Sequence, residues 1–198
     1  MRFLFLLLQG RRGIPGGRFF LHFPGRSVLF YIVSFVVYRP VKYNLNKWRM
    51  IMNIRKMVHG DQQLVLDMMI PFYNSDAVLC HPDESVLKKC VDDCVAGIPY
   101  LEGFVFEVDG TAAGYGMTAI GYATEAGGIC VHIEDIYIKP EFRGQGIGTA
   151  FLTFVERRYR GKAVRYRLEV EPDNAGADRV YRRCGYRELG YRQLYKDV

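Results

Sequence analysis

The segment Arg143-Gly144-Gln145-Gly146-Ile147-Gly148-Thr149 constrains the fold of this chain more than any other stretch. The apolar run Ile133-Glu134-Asp135-Ile136-Tyr137-Ile138 precedes it and reads as a strand. Ile147, Ala150, Phe151, Phe154 and Val155 follow it at helical spacing. A glycine-rich turn between a strand and a helix presents orphan backbone N–H groups at a helix N-terminus. The helix dipole also favours negative charge there, so such a turn suits a phosphate. Two common phosphate loops are excluded by spacing. A P-loop needs Lys-Ser or Lys-Thr after its last glycine, and neither follows here. The dinucleotide fingerprint needs G-x-G-x-x-G, whereas these glycines run G-x-G-x-G late in the chain, although Glu169 stands at a tolerable distance for its acidic partner.

The arrangement Arg143-x-x-Gly146-x-Gly148 resembles the acyl-CoA pyrophosphate loop of the GNAT superfamily of N-acyltransferases. Downstream, Asn174, Ala177, Tyr181, Gly185 and Tyr186 keep every spacing of that family's N-x-x-A-x-x-x-Y-x-x-x-G-[FY] segment. The resemblance is specific over Ile133–Tyr186 and does not reach the first 50 or so residues. It implies an α/β (α+β) fold with a mixed, mostly antiparallel central sheet of about six to seven strands flanked by about four helices.

Element by element, Met52–Met57 predicts a first strand, and Asp61 a helix cap ahead of Leu64, Val65, Met68 and Met69. Pro82-Asp83-Glu84 opens a second helix that Gly97 ends, and Asp109-Gly110 marks a hairpin turn. Val164–Glu171 predicts a strand, and Asn174–Cys184 a helix stopped by Gly185. Tyr186–Leu189 and Gln193–Lys196 predict two short final strands.

Charge divides the chain. The first 52 residues hold nine Lys/Arg and no acid. Residues 53–138 hold four bases against thirteen acids, and residues 139–198 fourteen bases against eight. The basic balance therefore comes from the N-terminal segment, and net charge gives no case for nucleic-acid binding. A basic half beside the phosphate loop and an acidic half before it suit an anionic donor and a cationic acceptor.

Residues 1–52 are expected to form an extension outside the functional domain of residues 53–198. A misassigned start is the preferred reading, with targeting or membrane association as alternatives. Phe3–Leu8 lacks the flanks of a signal peptide, and Val28–Val37 is too short to span a bilayer. A cytoplasmic location follows as the expectation, with membrane contact confined to that extension. A homodimer is left open. The five cysteines, Cys80, Cys90, Cys94, Cys130 and Cys184, are odd in number and suggest no disulfide framework. Cys80-His81 with Cys90 and Cys94 has a zinc-like look. However, Val86, Leu87, Cys90, Val91, Cys94 and Val95 form one apolar helical stripe, so no metal is expected.

The resemblance implies acetyl-CoA as co-substrate, with the Arg143–Thr149 loop on its pyrophosphate and the backbone of Ile136 and Ile138 along the acyl-pantetheine arm. The Ile138 N–H would polarise the thioester carbonyl. Asn174 would bond the pantetheine or serve as a helix cap. Tyr181 is the general-acid candidate for the leaving thiolate, because a phenol suits that proton transfer; its alternative is a core aromatic. Glu134 is the general-base candidate, with Glu169 in reserve. Ile133-Glu134-Asp135 is similar to the Leu-Glu-Asp triplet of polyamine acetyltransferases, which implies that Asp135 meets a cationic substrate. Simple alternation puts Glu134 and Asp135 on opposite faces unless a bulge intervenes. Tyr73 and Asp76, with Asp92 and Asp93, are candidates for acceptor binding through cation–π contact and charge.

The expected function is acetyl transfer to a primary amine by direct attack in a ternary complex. The preferred acceptor is a small cationic amine, with a protein lysine or N-terminus second and a non-catalytic acyl-CoA-binding module as the competing class.

Overall fold

The computed structural model describes Phe20–Phe23, Arg26–Leu29 and residues 51–196. Strands β1 (Phe20–Phe23) and β2 (Arg26–Leu29) pair antiparallel as a hairpin. They belong to a unit separate from the body. The remaining expectations for residues 1–50 lie outside the described residues.

The body is built on β3 (Met52–Lys56), β4 (Leu101–Val108), β5 (Thr111–Ala123), β6 (Gly128–Ile138) and β7 (Ala163–Leu168), hydrogen-bonded in that order. The first four run antiparallel, and β7 joins β6 in parallel. Asp109 and Gly110, both at positive φ (50° and 77°), make the β4–β5 hairpin that their types predict. A parallel partner for β6 needs a crossover, which α3 (Ile147–Arg158) supplies.

Helices lie on both faces. α1 (Gln62–Tyr73) and α2 (Glu84–Ala96) bury Val65, Met68, Met69, Leu87, Val91 and Cys94 against Val105, Tyr115 and Met117. On the other face α3 buries Ile147, Phe151, Leu152 and Val155 against Phe104, Phe106, Val131 and Ile133. α4 (Ala175–Arg183) joins this second cluster through Val180 and Tyr181. Close packing there needs Gly116, where a Cβ would stand 2.5 Å from the Phe151 ring.

Three expectations are corrected. The sheet has five strands among the described residues rather than six to seven, because Tyr186–Leu189 and Gln193–Lys196 form no strand. Leu189, Tyr191, Leu194 and Tyr195 stay exposed there, so no apolar face exists to hold a ladder. β7 stops at Leu168, short of Glu171. Asp61 does precede α1 but makes no side-chain cap. Its buried carboxylate instead accepts from Arg55 at 2.7 and 2.8 Å and from the Val58 N–H at 2.8 Å. The guanidinium, as the main cause, holds that carboxyl below its ordinary range. The bridge ties β3 to the start of α1.

Candidate active site

β6 changes character at Glu134. Ile133 pairs with Thr118 and Asp135 pairs with Met117, which leaves Glu134 as an extra residue, a bulge. The effect on side-chain direction is visible in the packing. Val131 and Ile133 point to α3 before the bulge, and Ile136 and Ile138 do so after it. Tyr137 packs with the α1–α2 cluster. The strand is therefore out of phase with itself by one residue across Glu134, and the two acids have very different surroundings.

Asp135 is 4% exposed. Its Oδ1 accepts from the Tyr73 hydroxyl at 2.9 Å and its Oδ2 from the Tyr115 hydroxyl at 3.1 Å. Burial pushes its pKa up to about 6, against the two phenol hydrogen bonds that pull it down, with the Glu134 charge raising it further. Burial, then the Asp135 charge, drives both phenols well above their ordinary range, so they stay donors. Glu134 is exposed, and its Oε1 lies 3.5 Å from the His132 Nδ1. The Nε2 of the same ring lies 3.9 Å from the reserve carboxylate, Glu169.

Beyond the bulge β6 loses its partner on one side. Pairing with β7 ends at Ile133 opposite Leu168, while pairing with β5 continues to Ile138 opposite Gly114. The Lys139 N–H donates to the Ala113 carbonyl at 2.9 Å. By antiparallel alternation, Lys139 and Tyr137 then exchange bonds with β5, and Ile136 and Ile138 turn their N–H and C=O groups to the open edge. The Arg143 Nε takes the Ile138 carbonyl there at 3.0 Å. The N–H groups of Ile136 and Ile138 are left facing the gap.

The glycine-rich turn closes the lower end of that gap. Gly144 and Gly146 adopt φ of 73° and 83°, a backbone that side chains resist. A Cβ at either would meet nothing within 4 Å, so the requirement is conformational and the loop surface stays open. The first helical bond of α3 runs from the Ala150 N–H to the Gly146 carbonyl at 3.0 Å. Ile147, Gly148 and Thr149 stand ahead of it with N–H groups that have no intrahelical acceptor. Gln145 folds inward, donating to the Glu141 carbonyl at 3.1 Å. Free N–H groups at a helix N-terminus suit a phosphate.

Tyr181 is partly buried beside Tyr186, with ring centroids 6.1 Å apart, and burial raises its phenol pKa. Asn174 caps α4, its Oδ1 accepting from the Ala177 N–H at 3.1 Å. Asp76 is exposed and makes no side-chain hydrogen bond among the described residues. Asp92 is engaged by Lys88 and Gln62, both at 2.6 Å, and Asp93 by Lys89 at 2.6 Å. Lys88 and Lys89 thus answer the charges of these two carboxylates on α2, and Gln62 links Asp92 to α1. Among the described residues no group of His, Cys, Asp and Glu is arranged to hold a metal, and no helix is long and apolar enough to cross a membrane. Sequence reasoning missed Tyr115, which holds the second oxygen of Asp135, and His132, which stands between Glu134 and Glu169. His132 and Glu134 stand two apart and so offered a faint alternation signal.

A match to the Acetyltransferase (GNAT) family model covers residues 66–186, from within α1 through the Tyr181 helix to Tyr186. The chain belongs to the GNAT acetyltransferase family. Among its relatives, a thialysine N-epsilon-acetyltransferase from Sus scrofa is 39% identical over 77 residues, 38% of this chain and 45% of that protein. A putative [ribosomal protein bS18]-alanine N-acetyltransferase from Bacillus subtilis (strain 168) is 36% identical over 99 residues, 49% of this chain and 61% of that one. The chain thus spans about half the length of these relatives. Among solved structures, a possible acetyltransferase from Clostridium difficile 630 has a TM-score of 0.63 at 19% identity, over 74% of this chain and 97% of its own. The aminoglycoside N-acetyltransferase AAC(6')-Iy in complex with CoA has the same TM-score and identity, over 76% and 97%. At these identities the GNAT fold is what the structures share with this chain.

Proposed function

We propose that this GNAT domain is an acetyl-CoA-dependent N-acetyltransferase that acetylates a small cationic primary amine by direct attack in a ternary complex. The observation that carries the reading is the unpaired β6 edge at Ile136 and Ile138, set between the Glu134 bulge and the α3 N-terminus. An extended thioester arm laid along that edge is oriented by backbone donors, with its phosphates at the glycine turn.

Each group then has one task. Glu134, exposed at the bulge, takes the proton of the acceptor ammonium. The amine nitrogen forms its bond to the thioester carbonyl carbon, and the Ile138 N–H stabilises the developing oxyanion. As the C–S bond breaks, the Tyr181 hydroxyl protonates the thiolate, and the acylated nitrogen sheds its second proton through solvent to the phenolate left behind, giving an N-acetyl amine and free CoA. Burial keeps that phenol protonated at neutral pH. Tyr73, only partly buried, is anchored by its hydroxyl to the buried Asp135, and its aromatic ring suits a cation.

A protein N-terminus is the second reading, favoured by the relative from Bacillus subtilis, whose match covers more of this chain. Acetyl-CoA-dependent thiol release, measured over a panel of thialysine, polyamines, aminoglycosides and an alanine-led peptide, tests both. Turnover of small amines above the peptide is expected. Peptide turnover alone would overturn the preferred acceptor, and acetyl-CoA binding without turnover of any amine would leave a binding module.

A further inference from the structure

An imidazole on β6 stands between Glu134 and a second exposed carboxylate, Glu169. Val131 and Ile133 join the cluster under α3, so alternation turns His132 to the opposite face of the sheet. There it lines an open recess of about 350 Å³ together with Glu134. The His132 Nδ1 lies 3.5 Å from the Glu134 Oε1, and its Nε2 lies 3.9 Å from the Glu169 Oε1. Both distances are longer than a hydrogen bond, but the two glutamate side chains are 44% and 59% exposed. A rotamer change or one bridging water closes each gap.

The neighbours of the ring decide what it can do. Asp135 is buried with a phenol on each oxygen and stands apart from this path. Arg165 is answered by Glu125 at 2.7 Å. Arg167, opposite His132 in register, brings one positive charge. Cys130 stays a neutral thiol, since burial raises its pKa. β5 places Ala119 opposite the ring and adds no charge. Two glutamates thus outnumber one added cation, and a positive charge arriving on the ring meets negative ones. A carboxylate is a weak base toward an ammonium, because ordinary values near 4.3 and 10.4 make that transfer steeply uphill. An imidazole, ordinarily near 6.5, lies about two units closer.

We propose that His132 draws the acceptor's proton off Glu134 and passes it to Glu169 and solvent, so that the base is a carboxylate again before the next acceptor binds. This rests on the acetyltransferase reading with Glu134 as its base. His132 acts through Glu134 and is a positioning residue, not one that touches the acceptor. The ammonium N–H breaks as the Glu134 Oε1 takes the proton. The Glu134 O–H then breaks as the His132 Nδ1 lone pair takes it in turn. The Nε2–H gives its proton to the Glu169 Oε1, which loses it to water, and exchange with solvent restores the starting tautomer.

The test follows thiol release against pH in the full chain, with acetyl-CoA and the fastest amine among thialysine, polyamines, aminoglycosides and an alanine-led peptide. His132→Gln is expected to lower kcat about tenfold at pH 7.5 and about twofold at pH 9.5, where more of the amine has shed its own proton, with the KM for acetyl-CoA kept. Glu169→Gln, at an exposed side chain, should lose about threefold with the same pH dependence. Added imidazole should restore part of the His132→Ala rate, which a merely structural role would not predict. The double variant His132→Gln with Glu134→Gln should be no slower than Glu134→Gln alone. A loss equal at every pH, additive losses in the double variant, or no rescue by imidazole would overturn the relay and leave acetyl transfer in place. No turnover of any amine by the unaltered chain would sink the acetyltransferase reading, and the relay with it.

Discussion

At the scale of single residues, the bulge gives adjacent acids opposite surroundings, Glu134 exposed and Asp135 buried. Tyr181→Phe removes the proposed proton donor and is expected to lower kcat about 10²- to 10⁴-fold, read by thiol release at saturating acetyl-CoA. An unaltered rate would return Tyr181 to a packing role. Glu134→Gln should slow turnover and move the pH–rate profile toward high pH, where the amine sheds its own proton; an unchanged profile would transfer the base to Glu169 or to water. Asp135 acts on stability. Its pKa of about 6 in the fold lies above the ordinary carboxylate value of about 3.9. The folded state therefore holds the proton more tightly, and stability falls as pH rises from about 4 through about 6. Ionised, the group costs on the order of 3 kcal/mol at neutral pH. Asp135→Asn removes that dependence. Urea unfolding should show the variant gaining on the parent between pH 4.5 and pH 7, and a constant difference would mean Asp135 does not titrate in that window.

At the scale of elements, β6 does most of the positioning and β5 holds it in place. Gly114 faces Ile138, and a Cβ there would lie 2.2 Å from the Tyr137 carbonyl oxygen, a backbone atom with nowhere to go. Gly114→Ala is expected to cost about 3 kcal/mol and to weaken acetyl-CoA binding, since relief of the clash must move the Ile136–Ile138 edge. A stability loss with unchanged acetyl-CoA affinity would separate that edge from donor binding. The helices, the hairpin and the glycine turn were legible in the sequence because each has a local cause: a 3.6-residue apolar period, Asp109-Gly110, or glycines ahead of a helix. The bulge was foreseen only as a condition, because an extra residue leaves no mark in composition. The Tyr73–Asp135–Tyr115 bonds were half legible, Tyr115 being 20 residues away on another strand. The final strands were misread, because apolar alternation at Leu189–Tyr195 does not supply a partner edge.

At the scale of the whole molecule, charge and architecture agree. The acidic part, residues 53–138, builds β3 to β6 with α1 and α2, and the basic part supplies the glycine turn, α3, β7 and α4. The candidate site lies along the line where they meet, at the open edge of β6. Everything assigned to it lies between Tyr73 and Tyr181. A chain beginning at Ile51 is therefore expected to fold and to bind acetyl-CoA as tightly as the full chain, by thermal unfolding and calorimetry. A weaker or unfolded short form would give residues 1–50 a part in the domain.

The extra residue at Glu134 has a consequence for reading other sequences. Because β6 runs in two frames that meet at one position, a relative lacking that residue would align over the strand with a single gap and still show an unbroken in–out rhythm. Its remaining acid would still face the α1–α2 side beside the tyrosines, and only the exposed carboxylate of the bulge would be gone. A one-letter gap at this place in an alignment is therefore a better sign of altered chemistry than any substitution flanking it.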